Sequence, residues 1–208
     1  MFTVTEPAEA DILKFISTQS SLPFSYAEVG ATRMEAGNES SAPCGYNVDH
    51  NRVQLGSGAE VFERAVAALK QWRQFELGWV TLVPRGVKIE KGATVAVKAW
   101  ACGMWSLNAC RIVYVVDETH AAYGEAERDG DEAVTRFGFA YGTLPDHIER
   151  GEERFLVEWN RTDDTVWYDI LAFSHPRHPV VRLGFPVARM MQKRFARDSL
   201  AAMRSAVH

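Results

Sequence analysis

The sequence predicts an α+β fold: a curved antiparallel sheet wrapped around one long C-terminal helix, the helix-grip arrangement, preceded by an N-terminal helical and extended arm. Three observations predict it. Six runs rich in β-branched and aromatic residues follow one another between positions 79 and 174, with short or hairpin-like links that favour antiparallel pairing. After Pro186, a final segment places Val187, Met191 and Phe195, joined by Met190, Leu200 and Met203, on one helical stripe. A strand and a helix split by Gly56-Ser57-Gly58 stand ahead of both. A strongly curved sheet needs something to fill its concave face, and the terminal helix does that.

In chain order, residues 5–19 read as a helix. Thr5 is the expected cap, Pro7 and Glu9 suit the first turn, and Ile12, Leu13, Phe15 and Ile16 form the apolar face. Residues 20–43 are rich in Ser, Gly, Pro and Ala and read as an extended arm, with Phe24 and Tyr26 in need of burial. Residues 1–45 are thus expected to pack on a helix-grip domain of residues 46–208. Residues 46–55 read as a strand. Ser57 and Glu60 then have capping-box spacing ahead of a stripe of Val61, Phe62, Ala65, Val66, Leu69 and Trp72. The glycine turn lacks the lysine of a P-loop and the third glycine of a dinucleotide fingerprint, so it reads as a plain strand-to-helix turn.

The six strands are expected at 79–83, 93–100, 109–117, 134–144, 152–160 and 165–174, with a short extra piece at 87–91 and a charged loop at 119–132. The last helix falls within 179–207. Its Arg189, Lys193 and Arg197, extended by Arg182 and Arg204, read as a solvated basic face.

Composition sets outer bounds. A chain of 208 residues that is 47% apolar can bury a sizeable core, and a net charge of −4 argues against general nucleic-acid binding. The sequence has no apolar run of membrane-spanning length and no signal-peptide pattern at its start. Cys44, Cys102 and Cys110 are too few for a disulfide framework and lack zinc spacing. Free buried thiols, a cytoplasmic setting and no cofactor are the expectations. A Cys102–Cys110 hairpin bridge is the rival to free thiols. Nothing sets the oligomeric state.

Longer matches add to this. Phe24-Ser25-Tyr26, Val29-Gly30-Ala31-Thr32, Leu55-Gly56-Ser57-Gly58, Ala68-Leu69-Lys70-Gln71-Trp72 and Leu77-Gly78-Trp79-Val80 carry a resemblance. Its densest part is Phe137-Gly138-Phe139-Ala140-Tyr141-Gly142-Thr143-Leu144, then His147, Gly151-Glu152-Glu153-Arg154-Phe155, Trp167-Tyr168-Asp169-Ile170 and Ala172-Phe173-Ser174. Across nearly its whole length the chain resembles uncharacterised protein family 0548, a domain-of-unknown-function family. That family is similar in fold to START-like (SRPBCC-type) domains, so the resemblance implies the same helix-grip fold. It implies no activity and no catalytic residues.

The connection 141–153 gathers Asp146, His147, Glu149, Glu152 and Glu153 with Arg150 and Arg154. His147 with Asp146, Glu149 or Glu152 could do acid–base work, since histidine titrates near neutrality. The plainer reading is a hairpin connection whose polar groups bond its own backbone. A metal site of Asp146, His147 and Glu149 has undiagnostic spacing, and none is expected.

Alternation turns Phe137, Phe139, Tyr141 and Thr143 inward; on the next strands Phe155, Val157 and Trp159 alternate against Arg154, Leu156 and Glu158, and Tyr168, Ile170 and Ala172 against Trp167, Asp169, Leu171 and Phe173. Asp169 and Glu158 fall on the opposite sides, where an Arg154–Asp169 or Arg154–Glu158 pair is expected. Candidate ligand contacts are Trp79, Trp100, Phe139, Tyr141, Tyr168 and Met191. Two functions follow: binding of a small apolar or amphipathic molecule between sheet and helix, or a hydrolase or cyclase-like enzyme using His147. An interaction scaffold is a third. Pattern alone does not separate a cavity from a filled core, because the same residue types line both.

Overall fold

The computed structural model describes residues 1–33, 43–119, 134–176 and 185–208. The expected loop at 119–132, Arg182 and most of the link into the last helix lie largely outside the described residues. The elements are β1 (Phe2–Thr3), α1 (Glu9–Gln19), a 3-10 turn (Ala31–Arg33), β2 (Asn47–Ser57), α2 (Ala59–Lys70) and a second 3-10 turn (Arg73–Phe75). They continue with β3 (Val80–Val83), β4 (Thr94–Ala101), β5 (Met104–Asp117), β6 (Val134–Thr143), β7 (Glu149–Asn160), β8 (Thr165–Pro176) and α3 (Phe185–Val207).

The strands form one antiparallel sheet in the order β2-β8-β7-β6-β5-β4-β3, and β1 pairs with Trp105 and Ser106 of β5. Register shifts at Gln54/Gly56 in β2 and Ile112/Tyr114 in β5 bend it. Gly56 sits at φ 152°, which suits glycine. The concave face holds the core. Phe62, Leu69 and Trp72 from α2 and its end meet Phe137, Phe139, Phe155 and Tyr168, and Met203 and Val207 of α3 join them. This is the helix-grip α+β fold, with α3 in the hollow of the sheet.

Several local expectations are corrected. Thr5 does not cap α1, which starts behind Ala8 without a side-chain cap, because Pro7 lies before the helix and not in it. Ser57 does not cap α2. It is still paired with Thr165 in β2, and the turn passes to Gly58 at φ 89°. Residues 87–91 form no strand; Trp72 Nε1 donates to the Val87 carbonyl at 2.7 Å. Strand β5 begins at Met104, because the β4–β5 turn is only Cys102-Gly103. That places exposed Cys102 far along the ladder from buried Cys110, and all three cysteines are free thiols. Strand β7 starts at Glu149, so the expected 141–153 connection shrinks to 144–148.

The convex face is covered too. Helix α1 packs Ile12, Phe15 and Ile16 on Val83, Ala96 and Leu107. Arg111 donates to the carbonyls of Ser20 at 2.9 Å and Leu22 at 2.6 Å, where α1 runs into the arm. The arm then crosses β6: Ser25 N–H donates to Thr143 O at 3.0 Å, and the Tyr26 ring lies on Gly142. A Cβ at Gly142 would stand 2.1 Å from Tyr26 Oη and 2.9 Å from two ring carbons. Gly142→Ala is therefore expected to displace the arm at a cost of about 1–3 kcal/mol, read as a lower urea midpoint. A midpoint equal to wild type would show that the tyrosine moves aside freely.

Candidate functional site

The inner face of the sheet is built in cross-strand rows. One row is Phe137, Val157, Tyr168 and Val53; the next is Phe139, Phe155, Ile170 and Asn51. The following row changes character: Tyr141, Glu153, Ala172 and Asp49. Beyond it, toward the β6–β7 turn, come Gly151 with Ser174, and then Glu149. Period-two alternation puts all these side chains on one face, and polarity rises from one end of the face to the other. Helix α3 matches the gradient. Its Arg189 and Gln192 meet the polar end, while Phe195, Leu200 and Met203 pack with the apolar core.

Between α3 and this face lies a cavity of about 1180 Å³. Its walls include Phe75, Trp79, Val97, Ile170, Phe195 and Leu200 on the apolar side. Ala172, the small member of the polar row, leaves room between Glu153 and Asp49.

The polar end is ordered by hydrogen bonds. Arg189 grips Asp49 through two nitrogens, at 2.5 and 2.7 Å, a charge-assisted fork. Gln192 Nε2 donates to Glu149 at 2.7 and 2.8 Å and to Ser174 Oγ at 3.0 Å. Tyr141 Oη donates to Glu153 Oε2 at 2.8 Å. Burial raises Glu149 above the usual carboxylate range, opposed by the Gln192 bond and Arg189. Burial pushes Glu153 further, up to about 7, against the Tyr141 bond and with the repulsion of Glu149 and Asp49 adding to it. Among the described residues no set of three or more His, Cys, Asp or Glu is grouped to hold a metal ion.

The structure distributes the expected site residues unevenly. Trp79, Tyr141 and Met191 line the cavity. Phe139 is instead in the solid core, 4.7 Å from Trp72 and 5.3 Å from Phe155 between ring centroids. Tyr168 is fully buried beside Ser199, its hydroxyl 3.1 Å away. Trp100 shares the convex face with Ala96 and Lys98, is 40% exposed, and stacks on Trp105 at 5.0 Å.

His147 lines the cavity with Nδ1 3.0 Å from both the N–H and the carbonyl oxygen of Glu149. Burial pushes it down to about 3, which takes its titration out of the neutral range. Glu149 faces the cavity; Glu152, one position before Glu153, also borders it, but its carboxylate is turned the other way, onto the arm. Its carboxylate receives Tyr26 Oη and Gly30 N–H at 2.7 Å each, Thr32 N–H at 3.0 Å, and the Thr32 hydroxyl. Next to it, Asp169 takes Arg154 at 2.9 Å and His50 at 2.5 Å. Glu158 pairs instead with Arg52 at 3.0 Å and Arg136 at 3.1 Å.

The expected strand at 152–160 contains Glu153, and its parity with Phe155 turns it inward, although the sequence pattern also groups it with the 141–153 connection. Asp49 and Gln192 carry no local signal, and Arg189 reads as part of a solvated face. Nothing local marks Asp49 or Arg189, which meet across 140 positions of chain.

The chain is similar to several known proteins. A family model described as "Domain of unknown function (DUF1990)" matches residues 25–202. A UPF0548 protein of Dictyostelium discoideum is 36% identical over 217 residues, covering 100% of this chain and 96% of the relative. A UPF0548 protein of Deinococcus radiodurans is 33% identical over 211 residues, covering 95% and 94%. Among solved structures, human STARD10 is 10% identical with a TM-score of 0.45, covering 98% of this chain and 80% of that one. A Thermus thermophilus protein is 14% identical with a TM-score of 0.49, covering 77% and 97%. No helix among the described residues is long and apolar enough to cross a membrane. The family model and the near-full-length relatives agree with the resemblance read in the sequence: the chain belongs to the UPF0548 (DUF1990) family.

Proposed function

We propose that this protein binds a small apolar or amphipathic molecule in the cavity between the sheet and α3. One observation carries the reading: a space of about 1180 Å³ whose wall grades from Phe75, Ile170 and Phe195 to a hydrogen-bonded polar end at Glu149 and Glu153. Ligand sites typically occupy about 300–1,000 Å³, apolar with a few convergent polar groups. A filled core would have closed this space, since well-packed interiors leave few voids larger than a water molecule.

The hydrolase or cyclase-like reading with His147 draws less support. That imidazole is held neutral and its Nδ1 is taken up by the Glu149 backbone. Its other proposed partner, Glu152, is committed to the arm on the far side of the sheet.

The test is titration with a neutral polarity-sensitive dye such as Nile red, in wild type and in Ala172→Phe. The substitution adds a ring inside the cavity, beside Glu153. Saturable binding at one site is expected for wild type, weakened at least about tenfold in a folded variant. Equal affinity in the two proteins, or no saturable binding by wild type, overturns the reading.

A further inference from the structure

We infer that the ligand carries a protonated amine, which pairs with Glu153 at the polar end of the cavity while its apolar part lies along the rest of the wall. This rests on the cavity-binding reading above and adds the chemical class of the ligand.

The charges at that end do not balance within the described residues. Asp49 of β2 and Glu149 and Glu153 of β7 line it, and Arg189 of α3, behind the lining, is paired with Asp49. Arg189 spends its two terminal nitrogens on Asp49, one of them shared with Gln192 Oε1 at 2.6 Å. Glu149 has the Gln192 amide across both oxygens. Glu153 has one neutral donor, Tyr141, on Oε2, and no hydrogen bond to its Oε1 is formed among the described residues. A half-buried carboxyl with an open acceptor, next to two further carboxylates and an apolar cavity, is costly to ionise without a counter-charge.

Three kinds of head group could meet it. A hydroxyl would satisfy Oε1 but leave the negative charge uncompensated. A carboxylate would add a fourth negative group to the row. An ammonium supplies both the donors and the charge, in a low-dielectric setting where that pairing counts most. The exposed Lys193, Arg197 and Arg204 also border the space, on the solvent side of α3, so a carboxylate ligand is the rival that the experiment must exclude. Burial holds Glu153 only partly ionised near pH 7. Pairing with a cation draws it into the ionised form, so amine binding should release a proton and weaken as pH falls below about 7. The titratable groups that interact with Glu153 are Tyr141 on β6, Glu149 on β7, Asp49 on β2, and Cys110 on β5 and Tyr168 on β8, whose burial keeps both neutral. Arg189 on α3 and the neutral His147 act on the neighbouring carboxylates and backbone.

The experiment compares octylamine, octanol and octanoic acid as competitors of the neutral dye at pH 7.5, in wild type and Glu153→Gln. Octylamine is expected to bind wild type about ten- to a hundredfold more tightly than octanol, the range of a charge-assisted contact. The margin of amine over alcohol should vanish in Glu153→Gln, whose amide oxygen can accept from either head group but offers an ammonium no charge. In wild type alone, which guards against a variant that fails to fold, octylamine affinity should fall up to about tenfold per pH unit below pH 7 while octanol stays level. Equal binding of amine and alcohol, preference for octanoic acid, or a margin that survives Glu153→Gln with no pH dependence overturns the amine assignment and leaves the cavity reading standing. Failure of the dye and all three competitors to bind overturns both.

Discussion

Glu152→Ala is expected to destabilise the protein by about 3–5 kcal/mol, a large effect for a single polar substitution. The carboxylate is 2% exposed and gathers four donors from the arm. Hydrogen bonds to a charged acceptor contribute about 1.5–3 kcal/mol each, though never additively within one cluster. Alanine also strands the buried Thr32 N–H, whose acceptor is the lost carboxylate. For a domain of this size the change corresponds to a Tm lowered by about 10 °C. Glu152→Gln should recover only part of it, because one oxygen becomes an NH₂ group facing N–H and O–H donors. Limited proteolysis within residues 20–33 should accelerate in both variants. Wild-type Tm and an arm that stays protected would contradict this account.

The same glutamate explains how far the sequence could be read. Alternation along β6 and β8 was legible, since Phe137, Phe139 and Tyr141, and Tyr168 and Ile170, do share the concave face. The helix in the hollow was legible from its stripe. The start of β7 was not, because Gly151 looks like a turn residue. In the fold it is a strand residue whose Cβ would meet the Phe173 carbonyl oxygen at 1.9 Å. Glycine is there for close approach to β8, a long-range reason that no local pattern carries. Taking it as a turn left Glu149 in the connection and put Glu152 and Glu153 at its junction with the strand, whereas the ladder runs on to Glu149 and its parity turns the Glu152 carboxylate to the arm and Glu149 and Glu153 to the cavity. Trp100 fell the same way, its face decided by its pairing with Trp105. Arg189 read as solvated because its partner lies on β2, far back along the chain.

Opposed titrations in the cavity wall give the other large expected result. Glu153 has its folded value raised from 4.5 to about 7. Between those values the folded protein holds a proton that the unfolded chain has lost, so stability falls as pH rises. His147 has its folded value lowered from 6.5 to about 3. Between those values the unfolded chain holds the extra proton, so stability rises with pH. From about pH 4.5 to 6.5 the two contributions have equal and opposite slopes, each at most about 1.4 kcal/mol per pH unit. Their sum leaves wild type nearly flat over that window, apart from groups that all three proteins share, Glu149 among them.

Removing one partner exposes the other. Glu153→Gln should lose up to about 2–3 kcal/mol relative to wild type on acidification from pH 6.5 to 4.5. His147→Asn, whose side-chain oxygen can still accept the Glu149 N–H, should gain a similar amount over the same interval. Urea unfolding of the three proteins at half-unit pH steps reads both slopes. Parallel profiles for Glu153→Gln and wild type would mean that Glu153 is already ionised in the folded state. That result would remove the expected fall in amine affinity just below pH 7, because a carboxylate already ionised loses no proton on pairing with an ammonium.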